Sequence, residues 1–434
     1  MKTLAIIKIN NIKYIMNKIV GLSAIERLLH SLIELEVSNI LLQIDQSLSI
    51  TEIKKSLTNK VFNKIWFKKH LKDIKININS ENAENITSYD KIILIDELIF
   101  FDYKLIKQYL AENTKSSDNL IFTDKNNKQL MYFGYNVINV STDISINSMT
   151  SNNPYKTINI GNAISKLTQI NDFKNVKKYL FSYKPKPTDG IIDWIIYRRI
   201  SKLFTRFVFI HLPLTPNMIT VLSILVSVIG IGLVAFLPDW EDTIIGLGVL
   251  AFAPVFDCCD GEIARLRFQF SKVGEWLDSI SDDIINILLI LGVSYKLSFS
   301  SGITFLEPYR NYIFYAGVLS SIFLLVHNSY IYYYLLRIIR SGSGVVFGFH
   351  WWFEEGKEKE PKKEYICQKH GEEAKLSIFD LSKFLTRRDF FIFMFFFLSI
   401  FKLVIIPLVV FFCISLVVFV LTVLQIILYK PSKS

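Results

Sequence analysis

Cysteine is scarce in this chain: four residues in 434, two of them adjacent. That excludes the disulfide framework by which small secreted domains hold their shape. Cys367-x2-His370 lacks the second half of a zinc site. Residues 1–30 lack a basic n-region, an apolar stretch of sufficient length and a small-residue cleavage site. No secretory signal is therefore expected, and the N-terminal part is expected in the cytosol. No basic-aromatic motif accompanies the net charge of +10. The charge suits an anionic lipid surface, and no nucleic-acid partner is expected.

What is abundant is apolar: 51% of residues are hydrophobic and 14% aromatic. They concentrate in the second half, behind a polar, lysine- and asparagine-rich first 180 or so residues. Six candidate spans stand out, approximately 217–237, 243–260, 280–297, 311–335, 390–401 and 404–428. Several approach the roughly 20 residues needed to cross a bilayer, whereas the third and fifth are short on the hydropathy pattern. The segment Pro238-Asp-Trp-Glu-Asp-Thr243 holds no basic residue and suits the outside. Arg265, Arg267 and Lys272, the loop from Arg337 and Arg340 to Arg387 and Arg388, and the tail with Lys430 and Lys433 suit the inside. Six spans then put both termini in the cytoplasm, with Lys296 and Arg310 running against the trend.

Ile192, Ile196, Ile200, Leu203 and Phe207 recur at helical intervals between Asp189 and His211, while Arg198, Lys202 and Arg206 recur four apart on another face. This predicts an amphipathic helix in the membrane interface, the alternative being an ordinary surface helix of the soluble part. Before it, Lys184-Pro-Lys-Pro-Thr-Asp-Gly190 reads as a stiff linker. After it, Leu214-Thr-Pro-Asn-Met-Ile-Thr220 opens the first span with Pro216 in the first helical turn. The expected organisation is a cytosolic α/β domain at 1–183 and a polytopic α-helical membrane domain at 184–434.

The chemistry lies between Asp257 and Asp282. Asp257, Asp260, Gly261 and Ala264 share one helical stripe; Gly274, Asp278 and Asp282 share another. An ionised carboxylate at a bilayer edge is costly unless something binds it. Oxygen-only ligands favour hard ions, Mg2+ or Mn2+. A pair of such ions suits an in-line phosphoryl displacement, and Arg265 suits a diphosphate. A merely solvated loop would explain neither the glycines and alanine nor four carboxylates left to repel one another.

The pattern Asp-x2-Asp-Gly-x2-Ala-Arg-x8-Gly-x3-Asp-x3-Asp resembles, without a substitution, the signature of the CDP-alcohol phosphotransferase family. The juxtamembrane helix and the Thr-Pro-Asn opening extend the resemblance over about residues 184–430. It implies transfer of a phosphoryl-linked group from a CDP-alcohol to the hydroxyl of a small polar alcohol, with release of CMP. It implies Asp257, Asp260, Asp278 and Asp282 as ligands of two divalent cations, with Asp282 also accepting the hydroxyl proton. Gly261, Ala264, Arg265 and Gly274 would receive the CDP moiety, joined by Asn217 and Thr220; helix capping by Thr215 or Asn217 is the alternative for that segment. CDP-diacylglycerol is the first expectation for the donor and CDP-inositol the second; inositol and inositol phosphate are candidate acceptors. A homodimer packed through membrane helices is also implied. Arg387-Arg388-Asp389 resembles the family's basic approach to the fifth span, where the arginines either meet an acceptor phosphate or anchor the helix. Outside the enzyme class, a cation transporter would spread its acids through the membrane depth rather than gather them at one side.

In the first domain, the runs Thr3–Ile9, Asn39–Ile44 and Lys91–Ile95 alternate with helical patterns at Ala24–Leu35 and Tyr103–Glu112. The alternation predicts an α/β domain with a largely parallel sheet. Strand, Lys18-Ile-Val-Gly21, helix and strand together resemble a sugar nucleotidyltransferase, a domain that is fused to the membrane synthase in certain inositol-lipid and inositol-phosphodiester enzymes. Such enzymes hold phosphate on a glycine-rich loop after the first strand; Lys8–Met16 holds no glycine, and bulky residues there obstruct close backbone approach. Asp96 reads either as the metal-binding aspartate of such a domain or as a turn former. Gly342-Ser-Gly344 with His350–Phe353 reads as interfacial anchoring and Glu354–Lys363 as a solvated charge run. The expected outcome of incubating the protein with CTP and inositol 1-phosphate is no pyrophosphate release; release at a catalytic rate would show a working cytidylyltransferase.

Overall fold

A computed structural model describes residues 2–9, 14–44, 75–78, 89–113, 119–135, 146, 150, 155–182, 192–299, 304–334, 336 and 388–428. The linker at 184–190, Gly342–Gly344, His350–Phe353, Glu354–Lys363, Cys367, His370, Arg337, Arg340, Arg387, Lys430, Lys433 and positions 10–13 of the glycine-free segment lie outside the described residues. The chain divides into two units, Met1–Lys184 with Leu266–Phe268, and Pro185–Arg265 with Gln269–Ser434.

The first unit is α/β. Its strands are β1 (Thr3–Ile9), β2 (Lys18–Ile19), β3 (Leu22–Ser23), β4 (Asn39–Ile44), β5 (Lys75–Ile78), β6 (Lys91–Ile95), β7 (Ile99–Phe101), β8 (Asn119–Thr123), β9 (Gln129–Tyr135), β10 (Tyr155–Asn159) and β11 (Ile164–Lys166). Its helices are α1 (Ala24–Glu34), α2 (Tyr103–Asn113) and α3 (Ile170–Phe181). Seven strands form one sheet in the order β10-β8-β9-β6-β1-β4-β5. β1 is central, with parallel neighbours β4 and β6, while β9 runs antiparallel to both β6 and β8. Near-continuous apolar runs in β1 and β6 follow from this central place, because both faces of such strands are covered. One face gathers Leu4, Ile6, Leu41, Ile92, Leu94, Ile121 and Tyr132. α1 starts with a capping box: the Glu26 carboxylate accepts from Ser23 N–H at 2.7 Å, and Ser23 Oγ accepts from Glu26 N–H at 3.3 Å. Asp96 follows β6 directly, and its carboxylate accepts the Ile146 N–H at 2.8 Å.

The second unit is helical. A π-turn at Asp193–Tyr197, α4 (Arg198–Phe204) and a second π-turn at Thr205–Phe209 run on from one another. Then come α5 (Pro216–Phe236), α6 (Trp240–Arg267), α7 (Lys272–Phe299), α8 (Arg310–Tyr334), α9 (Arg388–Ile400) and α10 (Ile405–Leu428). Four stretches among the described residues are long and apolar enough to cross a membrane: Pro216–Phe236, Trp240–Arg267, Phe305–Tyr334 and Ile405–Ile427. With 28 residues α7 is long enough, but Lys272, Glu275, Asp278, Asp282, Asp283 and Lys296 dilute its hydropathy. At 13 residues and about 1.5 Å each, α9 reaches about 20 Å, short of a roughly 30 Å hydrocarbon core.

The juxtamembrane segment turns a face to the unit's interior that apolar periodicity does not pick out. Asp193, Tyr197, Ser201, Thr205 and Phe209, four residues apart, are buried. Ile192, Ile196 and Ile200 pack beside them against Ile219, Val255 and Ile263, whereas Trp194, Ile195, Leu203, Phe207 and Val208 are exposed. The expected apolar stripe is thus divided between core and surface. Ser201 Oγ donates to Glu262 at 2.8 Å and Cys259 Sγ to the Ser201 carbonyl at 3.4 Å, so polar contacts fix α4 to α6.

Close approach holds α5 to α6. A Cβ on Gly230 would lie 2.7 Å from the Gly246 carbonyl oxygen, and one on Gly246 would lie 2.7 Å from that of Gly230. Lys296, within α7, is no loose charge: its Nζ donates to the carbonyls of Leu237, Pro238 and Asp239, in the turn that joins α5 to α6, at 2.6, 2.7 and 3.0 Å. Ser320 with Ser415 at 2.9 Å, and His327 with Thr422 at 2.7 Å, join α8 to α10. Replacing Gly246→Leu should destabilise the detergent-solubilised protein by about 1–3 kcal/mol, seen as a lower thermal midpoint. Gly232→Leu, where a Cβ meets nothing within 4 Å, should stay close to wild type in the same measurement.

Candidate active site

The acidic residues belong to α6 and α7. Asp257 lies one turn before Asp260 on α6, and Asp278 one turn before Asp282 on α7. One carboxylate oxygen from each of Asp257, Asp278 and Asp282 lies within 4.8 Å of the others. Asp260, the fourth expected ligand, is outside that group; its carboxylate accepts the hydroxyl of Thr220 on α5. Three converging carboxylates without nitrogen or sulfur are a donor set suited to a hard divalent cation, so these residues fit a metal.

Other residues expected from the sequence come together in pairs. Asn217 and Gly274 are neighbours: a Cβ on Gly274 would lie 2.6 Å from Asn217 Oδ1 and 2.9 Å from Ser271 Oγ. Glycine is what lets the start of α7 pass α5 at this distance. Capping of α5 falls to Thr215, whose Oγ1 accepts from Met218 N–H at 3.4 Å, while Asn217 Oδ1 accepts from Ser271 Oγ at 3.4 Å. Arg265 folds back over its own stripe, with its Nη1 3.3 Å from where a Gly261 Cβ would stand. Ala264 is half-buried one turn after Gly261.

Two participants sit far away in sequence. Arg388, at the start of α9, places Nη2 3.1 Å from Asp257 Oδ2 and Nη1 in direct contact with Asp282 Oδ1. Its side chain is 8% exposed. Nε has no hydrogen-bond partner and lies 3.6 Å from Asp389 Oδ1, an ion-pair distance too long for a hydrogen bond. The sequence offers Arg-Arg-Asp as a basic approach to a span but nothing that joins it to aspartates more than 100 residues earlier. Tyr332 on α8 donates its hydroxyl to Asp283 and to the Ser279 carbonyl, the latter at 3.2 Å. This holds Asp283 away from the cluster, as expected for a residue about 100° round the helix from Asp282. Burial pushes the Tyr197 phenol well above its usual range, and the charges of Asp389 and Asp193 add to the effect.

Apolar helices of this length and composition are those of an integral membrane protein, and they carry an all-carboxylate cluster. Residues 213–353, about a third of the chain, match the family model described as CDP-alcohol phosphatidyltransferase. Over 127 residues, 29% of this chain, the sequence is 27% identical to the bifunctional IPC transferase and DIPP synthase of Aquifex aeolicus; the match spans 28% of that protein's length. Among solved structures, HddC from Yersinia pseudotuberculosis is 15% identical, with 41% of this chain and 99% of that one covered at a TM-score of 0.28. A 4-diphosphocytidyl-2C-methyl-D-erythritol synthase from Anaerococcus prevotii is 13% identical, with 41% and 98% covered at a TM-score of 0.27. TM-scores this low carry no weight for the fold or the chemistry of this chain.

The Thr220 hydroxyl meets a carboxylate on a neighbouring helix while the side chain itself is buried. Thr220→Val keeps the shape and removes the donor, and should cost about 1–3 kcal/mol of stability. Thermal unfolding in detergent reads this as a lowered midpoint; a midpoint equal to wild type would show that the Asp260 carboxylate does not depend on the hydroxyl.

Proposed function

We propose that this protein transfers a phosphoryl-linked alcohol from a CDP-alcohol to the hydroxyl of a small polar alcohol and releases CMP. The observation that carries the reading is the meeting of Asp257, Asp278 and Asp282 oxygens within 4.8 Å in a family-matched membrane unit. Bound there, divalent cations, Mg2+ or Mn2+ and two in number, would neutralise diphosphate charge. Asp257, Asp278 and Asp282 would hold them together with Asp260, whose carboxylate Thr220 orients. Asp282 stands at the far end of the α7 stripe and is the group to accept the proton of the attacking hydroxyl; its candidacy rests on position rather than basicity. Gly261, Ala264 and Arg265 would receive the cytidine diphosphate, with the guanidinium of Arg265 as the donor to its oxygens. Gly274, Asn217 and Thr220 would line the same side.

The donor in the first reading is CDP-diacylglycerol, and the acceptor is inositol or inositol phosphate. The Aquifex aeolicus relative, whose name couples a transferase and a synthase, favours a second reading: a bifunctional cytidylyltransferase and CDP-inositol-dependent phosphodiester synthase. Against its first half stands the glycine-free Lys8–Met16 segment. In both readings α7 and α9 cross the membrane beside the four apolar helices, the short α9 where the bilayer thins around it, making six spans, with both termini and the acidic site cytoplasmic and the protein a homodimer.

Purified protein given CDP-diacylglycerol or CDP-inositol, an acceptor and Mg2+ or Mn2+ should release CMP. Asp278→Asn and Asp282→Asn should abolish release, by a factor of about a thousand or more, while still inserting into membranes. Unchanged turnover in either variant would reject the mechanism.

A further inference from the structure

We propose that Arg388 and a divalent cation are alternative partners of Asp257 and Asp282, so that the acidic cluster takes up its metal by displacing a guanidinium that the chain itself supplies. The inference rests on the reading that Asp257, Asp278 and Asp282 hold the metal. Both carboxylates touched by Arg388 are members of the trio whose oxygens lie within 4.8 Å of one another. A hard cation held by this trio would draw on the carboxylates of Asp257 and Asp282, the two that the prongs of the guanidinium now bond. Two positive centres on the same pair of carboxylates repel, although water reaches Asp257 and Asp282, 24% and 33% exposed, and screens part of it. The Arg388 side chain itself is 8% exposed, so its own charge is the less screened of the two.

The displaced guanidinium has a second partner at hand. Its Nε lacks a hydrogen bond, and the buried Asp389 offers Oδ1 3.6 Å away, outside the cluster. Arg388 already pairs with Asp389, so release from Asp257 and Asp282 would leave that ion pair in place. Arg388 is thus a positioning residue: it holds Asp257 on α6 and Asp282 on α7 at one spacing until the metal takes over that role. Uptake of metal and release of the arginine are then reciprocally coupled.

Mn2+ titration of the full-length protein in detergent, followed by electron paramagnetic resonance of the free ion, tests this. Arg388→Gln should bind Mn2+ tighter than wild type by roughly tenfold or more. In EDTA its thermal midpoint should fall below that of wild type, and Mn2+ should raise that midpoint more than it raises the wild-type one. Equal or weaker Mn2+ binding by Arg388→Gln would overturn the inference. Should that variant not fold, Arg388→Met, which keeps the length of the side chain and loses the charge, serves the same comparison: tighter binding supports competition, and equal or weaker binding overturns it. Absence of Mn2+ binding by both wild type and Arg388→Gln would instead overturn the metal reading, and the competition with it.

Discussion

Carboxylates can stand together at the end of membrane helices only where positive charge stands among them. Asp257, Asp278 and Asp282 would repel one another across the gap between α6 and α7 without it, and burial would raise that cost. In this structure Arg388 reaches from α9 to bond two of the three. The remaining architecture of the membrane unit serves to bring those groups to one place. Gly230 and Gly246 let α5 lie against α6; Gly274 lets the start of α7 pass Asn217; Lys296 ties α7 to the turn between α5 and α6. Each contact orders helices that lipid alone would not, because hydrocarbon tails are as good a solvent for apolar side chains as a neighbouring helix.

The acidic stripes were legible in the sequence because helical periodicity converts spacing directly into position. Residues three and four apart share a face whatever the rest of the chain does. By the same geometry Asp283, about 100° round the helix from Asp282, turns aside, and Tyr332 is the group that receives it. Strands Thr3–Ile9, Asn39–Ile44 and Lys91–Ile95 were equally legible, since apolar runs of that length between helical patterns have few other places to go.

What escaped was long-range or polar. Spacing carries no information about Arg388 meeting Asp257 and Asp282, which stand 131 and 106 residues away. The buried face of the juxtamembrane helix is built from Asp193, Tyr197, Ser201 and Thr205, so apolar periodicity pointed to a neighbouring face. Asp260 shares the stripe of Asp257, yet it bonds Thr220 while Asp257 joins the cluster; periodicity fixes a face and leaves the side-chain rotamer open. Lys296 read as a charge against the topological trend because a sequence shows the cation and not the three carbonyls that receive it.

The central claim is that side-chain oxygens of α6 and α7 converge to hold cations where a cytidine-linked diphosphate docks. Crystals of the full-length protein grown with Mn2+ and a CDP-alcohol test it through the anomalous signal of manganese. The account predicts anomalous peaks bonded by Asp257, Asp278 and Asp282, with the diphosphate on the Gly261 and Arg265 side. Manganese bound elsewhere, or carboxylates pointing apart around an empty gap, would contradict it.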